Sequence, residues 1–341
     1  MGSGSATTVR DLGEFPLIDR ISRGIAYRTG GVVAGIGDDT AVLRVSPGNL
    51  LLATCDVQVE RVHFLAETTT PEMLGRKSLA VNLSDIAAMG GVPRYALVSL
   101  GLPPDTPVSF VDGLYAGLLA EAEEFGVDLV GGNISASPPQ VFVDVTLLGE
   151  VEPGRVLYRR GAQVGDRLVV TGHPGDSAGG LALLLDPRIE CPTPAAERLR
   201  SAHRLPTPRV AAGRAVSATG LAHAMIDLSD GLAGDLGHVA AASGVGAVLW
   251  ADRIPLSPEL RQLAAALRRD PLEFALHGGE DYELLVAVEP GAEVRVVEAI
   301  QSQAGVAAAV IGEVVPADRG LTVSYPDGAA KPLAPRAYQH F

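Results

Sequence analysis

The sequence predicts a mixed α/β or α+β chain of two domains, and three observations lead to this prediction. The chain has 341 residues, more than one typical core supports, and 47% of them are hydrophobic. Segments with helical spacing of apolar residues alternate with short segments of strand character. The pattern then starts again near residue 153. We therefore predict one domain over residues 11–152 and a second over residues 153–341.

The N-terminal half predicts helices and strands in mixed order. The clearest helix covers residues 108–125, where Val111, Leu114, Leu118 and Ala122 keep to one face. Gly90-Gly91 ends a helix that begins at Pro71. The remaining expectations are an entry helix over residues 11–24, paired strands over 41–45 and 50–54, strands over 95–102, 127–130 and 141–149, and a glycine-rich loop at 131–133.

The C-terminal half repeats this alternation with different spacing. Residues 186–208 carry prolines and charges and are interpreted as a surface excursion. The expected strands cover 167–171, 246–250, 283–288 and 308–315, and the expected helices cover 181–185, 209–218, 232–242 and 291–303.

Charge and composition exclude several functional classes. The net charge of −13 argues against nucleic-acid binding, which needs a basic face. Lys77 and Lys331 are the two lysines among 27 basic residues, and neither lies in a G-x-x-x-x-G-K-[ST] loop. Phosphate binding here would therefore depend on metal ions and arginines. Two cysteines, no apolar run of about 20 residues and no signal peptide predict a cytoplasmic protein without a membrane span.

Carboxylates beside small residues recur in two copies of one short pattern. Asn82-Leu83-Ser84-Asp85 is echoed by Asp227-Leu228-Ser229-Asp230, and we interpret both as turns. Further acidic residues follow glycines at 35–39 and 278–281, and Asp56 follows a predicted strand. Oxygen ligands hold hard divalent cations, and glycines let a phosphate approach the backbone. The pattern predicts one metal–phosphate site built from two halves of the chain.

Eight motifs in fixed order identify a resemblance that covers residues 11–341. They are G-E-F at 13–15, G-I-G-D-D at 35–39, V-x-x-x-H-F at 59–64, N-L-S-D-I-A-A-M-G at 82–90, G-R-V-L-Y-R-R-G at 154–161, V-T-G-H-P-G-D-S-A-x-G at 170–180, D-L-S-D-G-L at 227–232 and G-G-E-D-Y-E at 278–283. The chain resembles the thiamine-monophosphate kinases, within the superfamily of aminoimidazole-ribonucleotide synthetase and selenophosphate synthetase. The resemblance implies a two-domain PurM-like α+β fold whose N-terminal sheets pair across a homodimer.

The resemblance also implies an activity and a set of ligands. The expected reaction is ATP-dependent phosphorylation of thiamine monophosphate to thiamine diphosphate, with several Mg²⁺ ions between the domains. Such a transfer needs positioning and charge neutralisation more than a covalent intermediate. We expect direct in-line transfer, with no nucleic acid and no membrane as partner.

Carried over position by position, the resemblance implies roles for individual residues. The implied metal ligands are Asp38, Thr54, Asp56, Asp85, Asp227 and Asp230, of which Asp85, Asp227 and Asp230 are also the expected catalytic residues. The implied ATP contacts are Gly131, Gly132, Asn133, Arg159 and Ser229. The implied substrate contacts are His63, Glu280 and Tyr338, the last suited to stack on a thiamine ring. Asn133 stands where many members carry Asp, and Cys55 stands where a hydroxyl residue is common.

Two alternatives stay open at this stage. The chain could be another ATP-using enzyme of the superfamily, although a selenophosphate synthetase normally needs a reactive cysteine near its N-terminus, and the first one here is Cys55. It could also be a catalytically silent ATP-binding maturation factor, against which the retained carboxylates argue.

Overall fold

A computed structural model describes residues 7–37, 40–137 and 139–334, which form two compact units. Unit 1 comprises Val92–Glu150 and the described residues before Ala87. Unit 2 comprises Ala87–Gly91 and the described residues from Val151 onwards. Each unit contains helices and its own sheet, as the mixed periodicities predict.

The elements from residue 9 to residue 151 build a four-stranded sheet with strand order β3-β6-β4-β5 and a two-stranded sheet of β1 and β2. The strand β4 is parallel to β5 and antiparallel to β6. In chain order the elements are α1 Val9–Leu12, α2 Glu14–Ser22, β1 Val32–Ala34, β2 Val42–Leu43, β3 Leu50–Val59, α3 Pro71–Ala88, β4 Val92–Leu102, α4 Val108–Phe125, β5 Asp128–Ala136 and β6 Phe142–Val151.

Helices α3 and α4 approach each other closely through two glycines. A Cβ at Gly117 would meet the backbone of Glu72 and lie 3.0 Å from the backbone nitrogen of Arg76. A Cβ at Gly75 would lie 2.8 Å from the backbone nitrogen of Leu118. The helix α4 buries Val111, Leu114 and Leu118, as its periodicity predicts, and ends at Gly126 in the left-handed conformation. This contact fixes the position of α3, the helix that carries Asp85.

One face of the four-stranded sheet is left partly exposed by the residues that the structure describes. Val143, Val145 and Leu147 of β6 are fully buried, whereas the alternating residues Asp144 and Thr146 are half-buried. Leu97 lies directly opposite Thr146 and is 36% exposed. Cys55, on the same side, contacts Thr146, so its neighbours at two-residue spacing share this face. We define the open face as Leu51, Ala53, Cys55, Val57, Leu97, Asp144 and Thr146.

Several expectations about this part of the chain were wrong. Strand β2 pairs with β1 and not with residues 50–54, which belong to the larger sheet. The entry helix is divided by Gly13 into α1 and α2. The strand expected at 127–130 continues to Ala136, so residues 131–133 are strand and not loop. Residues 131–133 are extended because they pair with β4, and their glycine content had predicted a loop instead.

The elements after residue 166 build a seven-stranded sheet with strand order β13-β12-β9-β11-β7-β10-β8. Its contacts are antiparallel except that between β12 and β9. In chain order the elements are β7 Arg167–Thr171, α5 Asp176–Leu185, α6 Thr193–Arg204, α7 Val210–Thr219, β8 Ala222–Asp227, α8 Leu232–Ser243, β9 Gly246–Trp250, α9 Pro258–Leu267, α10 Pro271–His277, β10 Leu284–Val288, α11 Glu293–Ala304, β11 Ala308–Val315, β12 Leu321–Ser324 and β13 Ala330–Pro332.

The central strands of this sheet are buried on both faces. Leu168 and Leu285 pack in one apolar cluster with residues of α8 and α10, whereas Val169 and Val286 pack in another with residues of α7 and α11. Adjacent strand residues point to opposite faces, so each strand must be apolar along its whole length. This explains the continuous apolar runs in β7 and β10.

The excursion expected at 186–208 was wrong in part, because it contains the helix α6. Ala195, Ala196, Leu199 and His203 form its buried face. Leu199 packs with Leu183 of α5. The many charged residues of α6 lie on its other side, and they hide the helical pattern in the sequence. Among the described residues, no helix is both long and apolar enough to span a membrane.

Candidate functional site

Unit 1 brings together three of the predicted metal-ligating residues. The Thr54 hydroxyl on β3 donates a hydrogen bond to Asp85 Oδ2 on α3. Burial raises the pKa of Asp56 to about 7, and the nearby charges of Asp85 and Asp144 add to this effect. Two carboxyl groups therefore share a partly desolvated space beside a hydroxyl.

The first copy of the repeated pattern is helical and not a turn. Asn82, Ser84 and Asp85 lie in the last two turns of α3, which ends at Ala88. Asn82 and Ser84 are fully buried, and Asn82 donates a hydrogen bond to the backbone oxygen of Ser78 over 3.0 Å. The helix presents Asp85 towards Thr54, while Asn82 and Ser84 serve its packing.

His63 lies after β3 in a short loop that fixes its ring. Its Nδ1 accepts a hydrogen bond from the backbone N–H of Val59 over 3.1 Å. An imidazole whose Nδ1 accepts carries its proton on Nε2 when neutral. The loop includes Arg61 in the left-handed region, at φ 66°. His63 is thus held with one ring nitrogen committed to the backbone.

Gly131, Gly132 and Asn133 lie on β5, opposite Leu97, Val98 and Ser99 of β4. Gly132 has a φ of 154°, and a Cβ there would lie 2.9 Å from the backbone nitrogen of Val98. The close approach of β4 and β5 explains why a glycine stands at position 132. Gly132 and Asn133 are exposed, so this edge strand offers amide and side-chain groups to a ligand.

Unit 2 gathers carboxylates at the end of β8 and the start of α8. Asp227 ends β8, and the backbone N–H of Asp230 donates to Asp235 Oδ2 over 3.1 Å. Ligand atoms of Asp230, Asp235 and His238 lie within 4.8 Å of one another. Burial raises the pKa of Asp235 to about 8, with further contributions from Asp227 and Asp230, while the charge of Arg159 lowers it.

Asp235 is a functional candidate that sequence reasoning missed. It lies five residues after Asp230, in the first turn of α8, and is 1% exposed. An acidic residue in a first helical turn is usually interpreted as a favourable partner of the helix dipole. The signal that could have identified it is its place on the buried face of a mostly apolar helix.

The loop after Asp227 is joined to the loop that carries Glu280. The backbone N–H of Glu280 donates to Ser229 O over 2.7 Å, and that of Tyr282 donates to Leu228 O over 2.8 Å. Glu280 and Tyr282 both have left-handed φ values, 64° and 51°. A Cβ at Gly279 would lie 2.5 Å from Ser229 O, which explains the glycine. Ser229, Asp230 and Glu280 are therefore held in one rigid arrangement.

A polar cavity of about 290 Å³ lies beside this arrangement in unit 2. Arg209 donates two hydrogen bonds, of 2.7 and 2.6 Å, to the buried carboxylate of Glu283, which also accepts from Thr171. The lining residues, none of them predicted as site residues, are His173, Asp176, Ser177, Arg198, Ser201, Ala202, Leu205, Pro206, Thr207, Arg209, Asp281 and Glu283. Two predicted residues, Asp38 and Tyr338, lie outside the described residues.

Both carboxylate groups fit hard divalent cations. Their side chains offer mostly oxygen atoms, which suit Mg²⁺, and Asp56 and Asp235 have pKa values raised by burial and by neighbouring carboxylates. A cation among these oxygens would offset that repulsion and keep the groups ionised.

Both halves of the chain match models of known protein families. A family model described as AIR synthase related protein, N-terminal domain, matches residues 37–151, and its C-terminal counterpart matches residues 163–323. Thiamine-monophosphate kinase of Aquifex aeolicus is 41% identical over 277 residues, covering 81% of this chain and 86% of its own length. Thiamine-monophosphate kinase of Salmonella typhimurium is 37% identical over 332 residues, covering 96% and 98%.

Solved structures agree with these matches. The thiamine-monophosphate kinase of Stenotrophomonas maltophilia has a TM-score of 0.83 at 36% identity, covering 94% of this chain and 98% of that one. The structure of AaThiL complexed with AMPPCP and TMP has a TM-score of 0.75 at 36% identity, covering 99% and 100%. The hydrogenase maturation protein HypE of E. coli shares the fold alone, at 21% identity and a TM-score of 0.75. The predicted two-domain α+β fold of this superfamily is confirmed.

Proposed function

The chain belongs to the thiamine-monophosphate kinase family, and we infer that it catalyses ATP-dependent phosphorylation of thiamine monophosphate to thiamine diphosphate. Identities of 37–41% to kinases of this name carry the inference, together with a neighbour solved with AMPPCP and TMP. AMPPCP is an ATP analogue whose terminal phosphate cannot be transferred. The retained carboxylates support catalysis over a silent ATP-binding role.

We assign Mg²⁺ binding to both carboxylate groups. Thr54, Asp56 and Asp85 would hold it in residues 11–152, with Asp38 as a further ligand, and Asp227 and Asp230 would hold it in residues 153–341. The fit rests on oxygen donors and on the raised pKa values of Asp56 and Asp235. When bound, Mg²⁺ neutralises phosphate charge and orients the phosphates.

The proposed nucleotide contacts lie on the strand β5, in the loop after β8 and at Arg159. Gly131, Gly132 and Asn133 offer an exposed strand edge, and Ser229 lies between the two acidic residues of its loop. Arg159, whose charge acts on Asp235, would contact the phosphates of ATP. These residues position the γ-phosphoryl group and supply no covalent chemistry.

Substrate recognition would use His63, Glu280 and Tyr338. The backbone N–H of Val59 donates to Nδ1 of His63, so the ring is held in one orientation from which it would contact the phosphate of the substrate. Glu280 offers a carboxylate to the cationic thiazolium ring. Tyr338 would supply an aromatic face for the pyrimidine.

The acceptor phosphate would attack the γ-phosphorus directly. Purified protein with MgATP and thiamine monophosphate should yield thiamine diphosphate and ADP in equal amounts by chromatography. Wild-type protein that hydrolyses ATP without forming thiamine diphosphate would contradict the assignment. A protein-bound phosphate, formed from γ-labelled ATP without acceptor and able to complete the reaction, would contradict direct transfer.

A homodimer would cover the open face of the unit 1 sheet. Leu51, Val57 and Leu97 are 53%, 38% and 36% exposed there, and strand faces of this composition are normally buried. An obligate pair typically buries more than about 2,000 Å² in total. Light scattering at micromolar concentration should give a mass of twice the 35.2 kDa of one chain. The substitution Leu51→Glu should lower the measured mass towards that of the monomer. A stable wild-type monomer would exclude the pair.

A further inference from the structure

Two adjacent residues, Glu280 and Asp281, are linked to Ser177 at the start of α5, Asp281 directly and Glu280 through His203. Asp281 accepts hydrogen bonds from the backbone N–H groups of Gly175, over 2.7 Å, and Ser177, over 3.1 Å. These amides belong to the N-terminus of α5, where the first N–H groups lack a partner within the helix. Ser177 Oγ lies 3.1 Å from His203 Nδ1, which lies 3.4 Å from Glu280 Oε2. The contacts close a ring from Asp281 through Ser177 and His203 to Glu280.

The backbone of this loop is in a conformation that needs such support. Glu280 and Tyr282, on either side of Asp281, are both left-handed, which is unfavourable for residues with a Cβ. Conformations of this kind persist only where the surroundings hold them, and they concentrate at functional sites. The backbone hydrogen bonds to Ser229 and Leu228 hold one side of the loop. The carboxylate of Asp281 holds the other side, at α5.

Ser177, His203 and Glu280 do not form a nucleophilic triad, although their residue types would allow one. In a triad the serine and the acid bind opposite nitrogens of the imidazole. Here both approach Nδ1. Ser177 and His203 are also only 1% and 7% exposed. The arrangement is suited to hold a carboxylate in place and not to activate a hydroxyl.

We propose that Ser177, His203 and Asp281 are positioning residues that fix the Glu280 carboxylate for contact with the cationic ring of thiamine monophosphate. This inference rests on the proposed function. A free glutamate side chain samples several rotamers and loses that freedom on binding. A carboxylate already held against His203, which Ser177 in turn holds by a hydrogen bond, avoids much of this loss, so the substrate binds more tightly. These contacts should therefore change the affinity for thiamine monophosphate and not the affinity for ATP.

The test compares variants that remove or keep the contacts of His203 Nδ1 with Ser177 and Glu280. Ser177→Ala removes the first and His203→Leu removes both, whereas His203→Asn retains them, because the Asn amide nitrogen takes the place of Nδ1. Loss of one buried hydrogen bond should raise KM for thiamine monophosphate about fivefold. KM for ATP and kcat should stay within about twofold. His203→Asn should lie close to wild type, and so should Ser201→Ala, which changes an exposed serine that lines the same cavity.

A parallel rise in both KM values, or no change in either, overturns the proposal. Should His203→Leu fail to fold, Ser177→Ala carries the same comparison, since it removes only a hydroxyl. Crystal structures of Ser177→Ala and His203→Leu give a readout that does not depend on turnover, and a displaced Glu280 carboxylate is expected. A carboxylate that stays in place in both variants overturns the positioning role. If wild-type protein leaves thiamine monophosphate unchanged, the proposed function fails. The two variant structures would then still show whether Ser177 and His203 hold the Glu280 carboxylate in place.

Discussion

The backbone N–H of Asp230 donates a hydrogen bond to Asp235 Oδ2 over 3.1 Å. A buried carboxylate on α8 therefore supports the loop that presents Asp227 and Asp230. When it is ionised, the same carboxylate adds negative charge beside Asp227 and Asp230, and this repulsion contributes to the raised pKa of Asp235. Asp235 thus has two separable roles, one as a hydrogen-bond acceptor and one as a charge.

The substitution Asp235→Asn should separate these roles. An Asn oxygen can still accept from Asp230, so the loop should keep its shape, but the charge that attracts Mg²⁺ is lost. We expect the Mg²⁺ concentration for half-maximal activity to rise about tenfold, with a smaller change in kcat at saturation. Asp252→Asn, at an exposed position, is the matched control. An unchanged Mg²⁺ requirement would show that Asp235 only holds the loop by its hydrogen bond and that its charge does not contribute to Mg²⁺ binding.

Asp85→Asn and Asp227→Asn should nearly abolish turnover. Each removes a carboxylate from one of the two groups, which should weaken neutralisation of the transferring phosphoryl group by several kcal/mol, on the order of a thousandfold in rate. The measurement is kcat at saturating Mg²⁺ and substrates, with circular dichroism to confirm folding. Asp318→Asn, at an exposed position, should leave kcat unchanged. Near-wild-type turnover in either variant would remove that residue from the site.

The stability of the metal-free protein should fall as pH rises towards 8. The pKa of Asp235 is about 8 in the folded chain and near 3.8 when unperturbed, so between these values the folded state binds the extra proton. Unfolding free energy therefore decreases with rising pH over that range. Melting temperatures in EDTA at pH 6, 7 and 8 should decline less steeply in Asp235→Asn than in wild type. Mg²⁺ should restore more stability at pH 8 than at pH 6, and equal slopes in both proteins would contradict this account.

Gly117→Ala should destabilise unit 1. The added Cβ would meet backbone atoms of Glu72 and Arg76, which cannot rotate away as the end of a flexible side chain can. We expect a loss of about 2 kcal/mol or more by denaturant titration. Gly154→Ala, where a Cβ would meet nothing within 4 Å, is the control. A loss below about 0.5 kcal/mol would show that the two helices separate easily.

Tyr338→Ala should raise KM for thiamine monophosphate several-fold and leave KM for ATP almost unchanged. The expected loss of one stacking partner is about 1 kcal/mol. Steady-state kinetics with each substrate varied in turn is the measurement. Equal effects on both substrates, or none on either, would place the tyrosine outside the thiamine pocket.

The two-domain α+β fold and the family were predicted from the sequence and are confirmed, whereas the site residues proposed from it stay a prediction. The family could be predicted because motifs such as D-L-S-D-G and G-G-E-D-Y depend on local spacing, and spacing is visible in one dimension. The amphipathic α4 and the apolar β10 were equally accessible, since burial on one or both faces imposes a period on the residues.

Tertiary structure alone decided how those residues are held. Asn82 to Asp85 lies within the helix α3, whereas its echo begins at the last residue of β8 and continues as a loop. The role of Asp235 depends on a hydrogen bond to Asp230, and that of Ser177 on contacts with residues 26 and 104 positions away. Such contacts join segments that are distant in the chain. Local propensity carries no information about them, and only the folded arrangement of α5, α6 and the Glu280 loop creates them.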